Sequence, residues 1–193
     1  MKRTFDISHN LERGATLVET AIVVPMLIML AIGLAEVAFL VVDDMAVANA
    51  AREGARVGAA AGPYVSGSIT ADTLMLRSVE QAVCDLENGS LTQVTIYLAD
   101  ADGQLPSNPN LKNVYVPPVS GVLNCSSSGS TSLTCSNGCP WAPSSRDNVP
   151  PDLDNVGVLV EFQHRPLLGL FPFTGTFSLS DRAVMRIEPN TRG

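Results

Sequence analysis

Apolar residues are spread unevenly along this chain. Residues 21–42, AIVVPMLIMLAIGLAEVAFLVV, carry a single charge, Glu36, and are apolar on every helical face. About 20 such residues span the hydrocarbon core of a bilayer as an α-helix, and a domain of ordinary size rarely hides a helix that has no polar side. The pattern predicts a membrane helix over 17–42, with the lipid bilayer as its surroundings. Pro25 kinks this helix or removes one of its hydrogen bonds. Lys2, Arg3 and Arg13 precede the run against Asp6 and Glu12, and Asp43 and Asp44 follow it. This flank predicts a cytoplasmic N-terminus with everything beyond residue 42 outside. A cleaved secretory signal is the rival reading, because Ala48-Asn49-Ala50 has the small-x-small form of a signal peptidase site. The apolar run, however, exceeds the ~7–15 residues of a signal core, and that site lies beyond two aspartates.

The helical period continues past the apolar run. Val47, Ala50, Ala51, Gly54, Ala55 and Gly58 recur as a stripe of small residues, with Arg52, Glu53 and Arg56 on other faces. A helix over 15–61 is ~70 Å long at the usual rise per residue, more than twice the hydrocarbon thickness. Its outer half therefore projects from the membrane. A small-residue stripe lets helices approach closely, and two partners compete for it: the protein's own sheet and a neighbouring subunit. Glu36 is read as an interfacial residue near the outer leaflet, with a second assembly contact as the alternative.

Gly62-Pro63 stops the helix and the pattern changes. Residues 71–89 place Met75, Val79, Ala82, Val83 and Leu86 on one face and end at Asn88-Gly89, which predicts a second, amphipathic helix. Alternation over 93–99, with Val94, Ile96 and Leu98 on one side, predicts a half-buried strand, and 155–163 and 175–188 read the same way. Residues 103–155 are rich in Pro, Ser, Asn and Gly, which predicts mostly loop with short strands near 112–116 and 121–124. The expected class is α+β: a long N-terminal transmembrane helix continuing outside the membrane, then a small head in which a second helix packs on a three- to four-stranded antiparallel sheet. The expected divisions are the long helix over 15–61 and the head over 62–193 with its loop-rich insert at about 103–155.

Composition narrows the function. The chain has 193 residues and a formal net charge of -7, with no local basic cluster, which argues against a nucleic-acid partner. No Walker loop, HExxH or GxSxG motif is present, so enzyme chemistry, a cofactor and a catalytic nucleophile all lack their usual sequence signals. Of the two histidines, His9 precedes Gly14 and His164 reads as a strand-end surface residue. Cys84 falls on the second helix and Cys125, Cys135 and Cys139 in the polar insert. An even count in an exported domain predicts two disulfides among three possible pairings. Zinc is disfavoured, because the Cys-x9-Cys-x3-Cys spacing has no nearby histidine and no CxxC knuckle. Asn88-Gly-Ser and Asn124-Cys-Ser match the glycosylation sequon, and chance is the better explanation of both.

Glu19 is the anomaly, since it interrupts the apolar stretch at its start. A charge inside hydrocarbon costs roughly 2.5–3.5 kcal/mol on insertion scales, and near the membrane edge such a side chain snorkels to the headgroups instead. Cleavage after Gly14 offers another solution. Ala15 then carries a free ammonium group, and that of a neighbouring subunit neutralises Glu19.

Arg13-Gly14 followed by ATLVETAIVVPMLIML, and AVANAAREGARVGAA at 46–60, resemble the TadE family of pseudopilins from bacterial tight-adherence (Flp pilus) systems. Residues 156–189, including RAVMR, resemble that family's closing strands, so the resemblance covers roughly 13–61 and 156–189. It implies that residues 1–14 are a prepilin-type leader, that a prepilin peptidase cuts between Gly14 and Ala15, that Glu19 is the family's glutamate at the fifth mature position, and that Pro25 is its usual proline. Thr20 departs from the bulky apolar or aromatic residue of many relatives. The resemblance further implies a non-enzymatic role in Flp pilus biogenesis, surface adherence and biofilm formation. It places the protein in the bacterial inner membrane, with other tight-adherence pseudopilins and inner-membrane assembly proteins as partners. The alternative from the residues alone is an uncleaved, single-pass anchored binding or sensor domain.

Overall fold

The structure is a computed structural model; it describes residues 8–119, 123, 125, 130–167, 169 and 175–189, with no side-chain account of 8–15. The chain divides into two compact units, Met1–Phe39 and Leu40–Gly193.

The described part of the first unit is helix. The element α1, Ser8–Ala61, passes through Pro25 without a break and continues into the second unit. Within the first unit its apolar side chains point outward: Leu17, Ile22, Met26, Leu30 and Leu34 are all mostly exposed. The expected helix over 15–61 is thus present, and it begins earlier, within the expected leader.

The second unit is the head. After α1 a hairpin of β1 (Val65–Ser66) and β2 (Ile69–Thr70) leads into α2 (Ala71–Val83). The main sheet contains β3 (Gly89–Leu98), β4 (Lys112–Val116), β5 (Thr134–Cys135), β6 (Asn155–His164) and β7 (Phe177–Arg186). Its order is β5-β4-β3-β6-β7, antiparallel throughout. Five strands therefore replace the expected three to four. The additional strand is β5, two residues inside the polar insert, too short for alternation to announce it. The strand expected at 121–124 falls largely outside the described residues.

Two boundaries differ from expectation for a physical reason. The second helix ends at Val83, six residues before the expected 89, and Gly89 opens β3 instead of capping a helix. A Cβ on Gly89 would lie within 2.4 Å of the Gln163 carbonyl oxygen and the Phe162 ring. The glycine is there for close approach between strands.

Val94, Ile96, Val156, Val158, Val160 and Phe162 face the two helices, and Met75, Leu76, Val79 and Val83 of α2 complete the core with the C-terminal part of α1. Val47, Ala50, Ala51, Gly54, Ala55 and Gly58 are all buried. A Cβ on Gly54 would sit 2.9 Å from Val79 and 3.3 Å from Val158, and one on Gly58 2.6 Å from Met75 and 3.2 Å from Val156. Of the two partners weighed for the stripe, the helix gives it to its own sheet and to α2. Arg52 and Arg56 are exposed, and Arg56 forms a surface pair with Glu53 at 2.7 Å. That hydrogen bond to Arg56 lowers the Glu53 carboxyl below its ordinary range, a contribution screened by solvent.

Helix α1 ends on a left-handed glycine. Gly62 has φ +53, and its amide donates to the Gly58 carbonyl at 2.9 Å, the αL closing bond. Farther along the chain the Glu188 amide donates to Ala59 O at 2.9 Å, satisfying a second terminal carbonyl. Gly62→Ala is expected to lower head stability by about 1 kcal/mol through strain at positive φ, read as a reduced denaturant midpoint with unchanged slope. An unchanged midpoint would mean that the left-handed conformation at Gly62 contributes nothing to head stability.

Candidate functional site

Four groups of residues were singled out by sequence: the stripe from Val47 to Gly58 placed above, the Gly14–Glu19 segment, Glu36 with Pro25, and the four cysteines. Gly14 and Ala15 lie on the helical backbone of α1. Glu19 is exposed on the helix surface, four residues C-terminal to Ala15. Thr20 turns its hydroxyl inward and donates to Thr16 O at 2.7 Å. A threonine in this position satisfies its own polar group along the helix. Pro25 has no amide to donate toward Ala21, yet the helix continues past it. Glu36 is only 5% exposed.

The cysteines pair Cys84 with Cys125 and Cys135 with Cys139. The first bridge spans 41 residues and ties the end of α2 to the polar insert. A second tether lies one helical turn before it: the Ser132 amide donates to Glu80 Oε1 at 2.9 Å, and the Ser132 hydroxyl donates to the same oxygen. The Cys135–Cys139 bridge closes a short loop around Asn137. The Asn137 side chain accepts from the Val114 amide at 3.0 Å and donates to Lys112 O at 2.9 Å, continuing the ladder along the edge of β4. An amide side chain thereby blunts an otherwise open strand edge.

Two buried polar clusters carry no signal that local sequence reading detects. The first is centred on Asp72 in α2, which is 3% exposed. Its carboxylate accepts from Tyr115 OH at 2.7 Å, from Asn113 Nδ2 at 2.8 Å, and from the Arg146 guanidinium. Asn113 in turn exchanges bonds with the Trp141 backbone, accepting at 2.9 Å and donating at 2.7 Å, while Arg146 stacks 4.3 Å over the Trp141 ring. One carboxylate on α2 thus fixes β4 and the loop 141–146 together. The Pro/Ser-rich composition around Arg146 conceals this, because it reads as solvated loop. Burial, the neighbouring Asp72 charge and the hydrogen bond to it push the Tyr115 phenol far above its ordinary range.

That displacement has a sign. The folded head holds the Tyr115 proton more tightly than the unfolded chain, so the associated stability is fully present below the unfolded value of about 10. It is lost as pH rises from there toward the folded value. The head is expected to weaken progressively above about pH 10, with Tyr115 titrating only as it unfolds. Ultraviolet tyrosinate absorbance followed beside circular dichroism checks this; Tyr115 ionising while the dichroism stays native would contradict it.

The second cluster is a pair. His164, expected on the surface, is 1% exposed, and its Nδ1 lies 2.6 Å from Asp43 Oδ2, itself 4% exposed. The period-2 pattern of β6 already puts residue 164 on the same face as Val160 and Phe162. What local reading lacks is the partner, which lies on α1, 121 residues away in sequence.

The geometry describes an N-terminal apolar helix, long and apolar enough to cross a membrane, whose continuation is built into a disulfide-bonded α+β head. One N-terminal helix of this kind is the arrangement of a single-pass membrane protein. Residues 14–56 match the family described as TadE-like protein, the family that the motifs around Gly14 and Glu19 resemble. No curated protein and no solved structure matches the chain.

Proposed function

We propose that this chain is a non-enzymatic, TadE-like pseudopilin that serves assembly of a tight-adherence (Flp) pilus. A prepilin peptidase removes residues 1–14, the helix over 17–42 holds the protein in the inner membrane with its N-terminus cytoplasmic, and the head lies outside. The observation that carries the reading is the family match over 14–56, which includes the cleavage glycine and Glu19. It is supported by the outward-facing apolar side chains of the first unit together with an exposed Glu19. A carboxylate and a free ammonium group brought together in an apolar assembly neutralise each other, whereas either alone resists burial. Partners are then the peptidase, other tight-adherence pseudopilins and inner-membrane assembly proteins, and the downstream role is adherence and biofilm formation.

The test is the mass of the N-terminal peptide of protein recovered from its native cells, with and without the prepilin peptidase. A chain beginning at Ala15 only when the peptidase is present is the expected result. One beginning at Met1 in both would move the reading to an uncleaved anchored binding domain, and one beginning near Ala51 to a secreted protein.

A further inference from the structure

Within the second unit, α1 and β6 run side by side in opposite directions. Gly58 lies against Val156, Gly54 against Val158, and Asp43 against His164. From residue 58 back to 43 the helix covers ~22 Å, and from 156 to 164 the strand covers ~26 Å, so the two stay level. The buried Asp43–His164 pair therefore sets the end of the sheet at the height where the apolar run stops. Val41 and Val42, the last residues of that run, are 49% and 57% exposed. If the helix spans a bilayer, as the proposed function holds and on which this inference rests, the His164 end of the sheet is at the lipid boundary.

That end carries a groove of about 380 Å³ whose lining includes Glu87, Asn88, Gln163, Arg165, Leu167 and Thr176. Its walls are the α2–β3 turn and the end of β6, joined by the Arg165 amide donating to Asn88 O at 2.6 Å. Arg165 and Glu87 are both exposed, and neither has an ion-pair partner among the described residues. Leu167 beside them is 57% exposed. One cation, one anion and an apolar side chain in a single groove at this height match the parts of a zwitterionic phospholipid: phosphate, ammonium and glycerol-acyl boundary.

We infer that this groove binds a phosphatidylethanolamine headgroup, with Arg165 on the phosphate, Glu87 on the ammonium and Leu167 against the glycerol end, so that the head rests on the leaflet from which its helix emerges. A guanidinium presents parallel N–H donors to phosphate oxygens, and a primary ammonium supplies three donors to a carboxylate. The contact restrains the head beside the membrane, and a subunit leaving the bilayer must break it.

The experiment uses the full chain in phosphatidylethanolamine vesicles whose acyl chains carry bromine in two separate sets, near the glycerol to report position 167 and near the chain ends to report position 30. Two variants, Leu30→Trp and Leu167→Trp, are compared with the parent, whose one tryptophan, Trp141, is buried and lies near Asn113, toward the far end of the sheet. Leu30→Trp reports whether the helix is in the bilayer at all. The expected result is quenching at both positions, with quenching at 167 lost when Arg165→Glu is added and quenching at 30 retained. Quenching at 30 without quenching at 167 would overturn the groove while leaving the anchor intact. Quenching at 167 that survives Arg165→Glu would overturn the assignment of the headgroup to this groove. No quenching at 30 would overturn the anchor reading and the inference with it.

Discussion

Asp72→Ala is expected to destabilise the head by about 3–5 kcal/mol, the range observed when one partner of a buried ion pair is removed. The loss is large because a single carboxylate serves three donors. Without it the guanidinium of Arg146, 3% exposed, stays in the interior with the Trp141 ring and the Met75 sulfur as its remaining neighbours. Tyr115 OH and Asn113 Nδ2 each lose an acceptor as well. Against a typical domain stability of about 5–15 kcal/mol this is a substantial share, so the variant head melts far earlier or is cleared before assembly. Denaturant unfolding of the full chain in detergent, followed by circular dichroism, measures the shift. Replacing Asp72 and Arg146 together by leucine recovers part of the loss, since no unpaired charge then remains. A shift below about 1 kcal/mol for Asp72→Ala would mean that Arg146 reaches solvent in the native head.

Glu19→Ala is expected to abolish assembly while leaving the protein fully inserted. Removing a carboxylate from the apolar segment makes insertion easier by up to about 2.5–3.5 kcal/mol, so the protein remains in the membrane fraction. On the proposed function, what disappears is the group that would neutralise a neighbouring subunit's terminal ammonium, leaving two apolar helices to meet around an uncompensated charge. Counting surface pili beside membrane fractionation of the same cells checks both halves. Normal pili with Glu19→Ala would make Glu19 a snorkelling interfacial residue and favour the anchored binding domain.

The long helix, the second helix and three long strands were legible because each is governed by neighbours in sequence. An unbroken apolar run, a helical stripe and strict alternation all state their periodicity within a dozen residues. The α+β class follows from their order. Even so, local signals could not distinguish a glycine needed at a helix end from one needed for strand approach, and Gly89 lies against Phe162 in the strand rather than capping α2. The same limit applies to the polar insert, where Trp141 and Arg146 look solvated in sequence and are buried in the fold.

By itself, then, the sequence determined the long apolar helix, the small-residue stripe and the placement of Gly14 and Glu19, because length, period and spacing are properties of consecutive residues. Only the tertiary structure decided that the stripe packs on the protein's own sheet, that the cysteines join as Cys84–Cys125 and Cys135–Cys139, and that Asp72 with Arg146 and Asp43 with His164 become buried pairs. The partners in those pairs stand 74 and 121 residues apart. No local periodicity links such positions, and only burial in a low-dielectric interior turns four ordinary polar residues into obligatory partners.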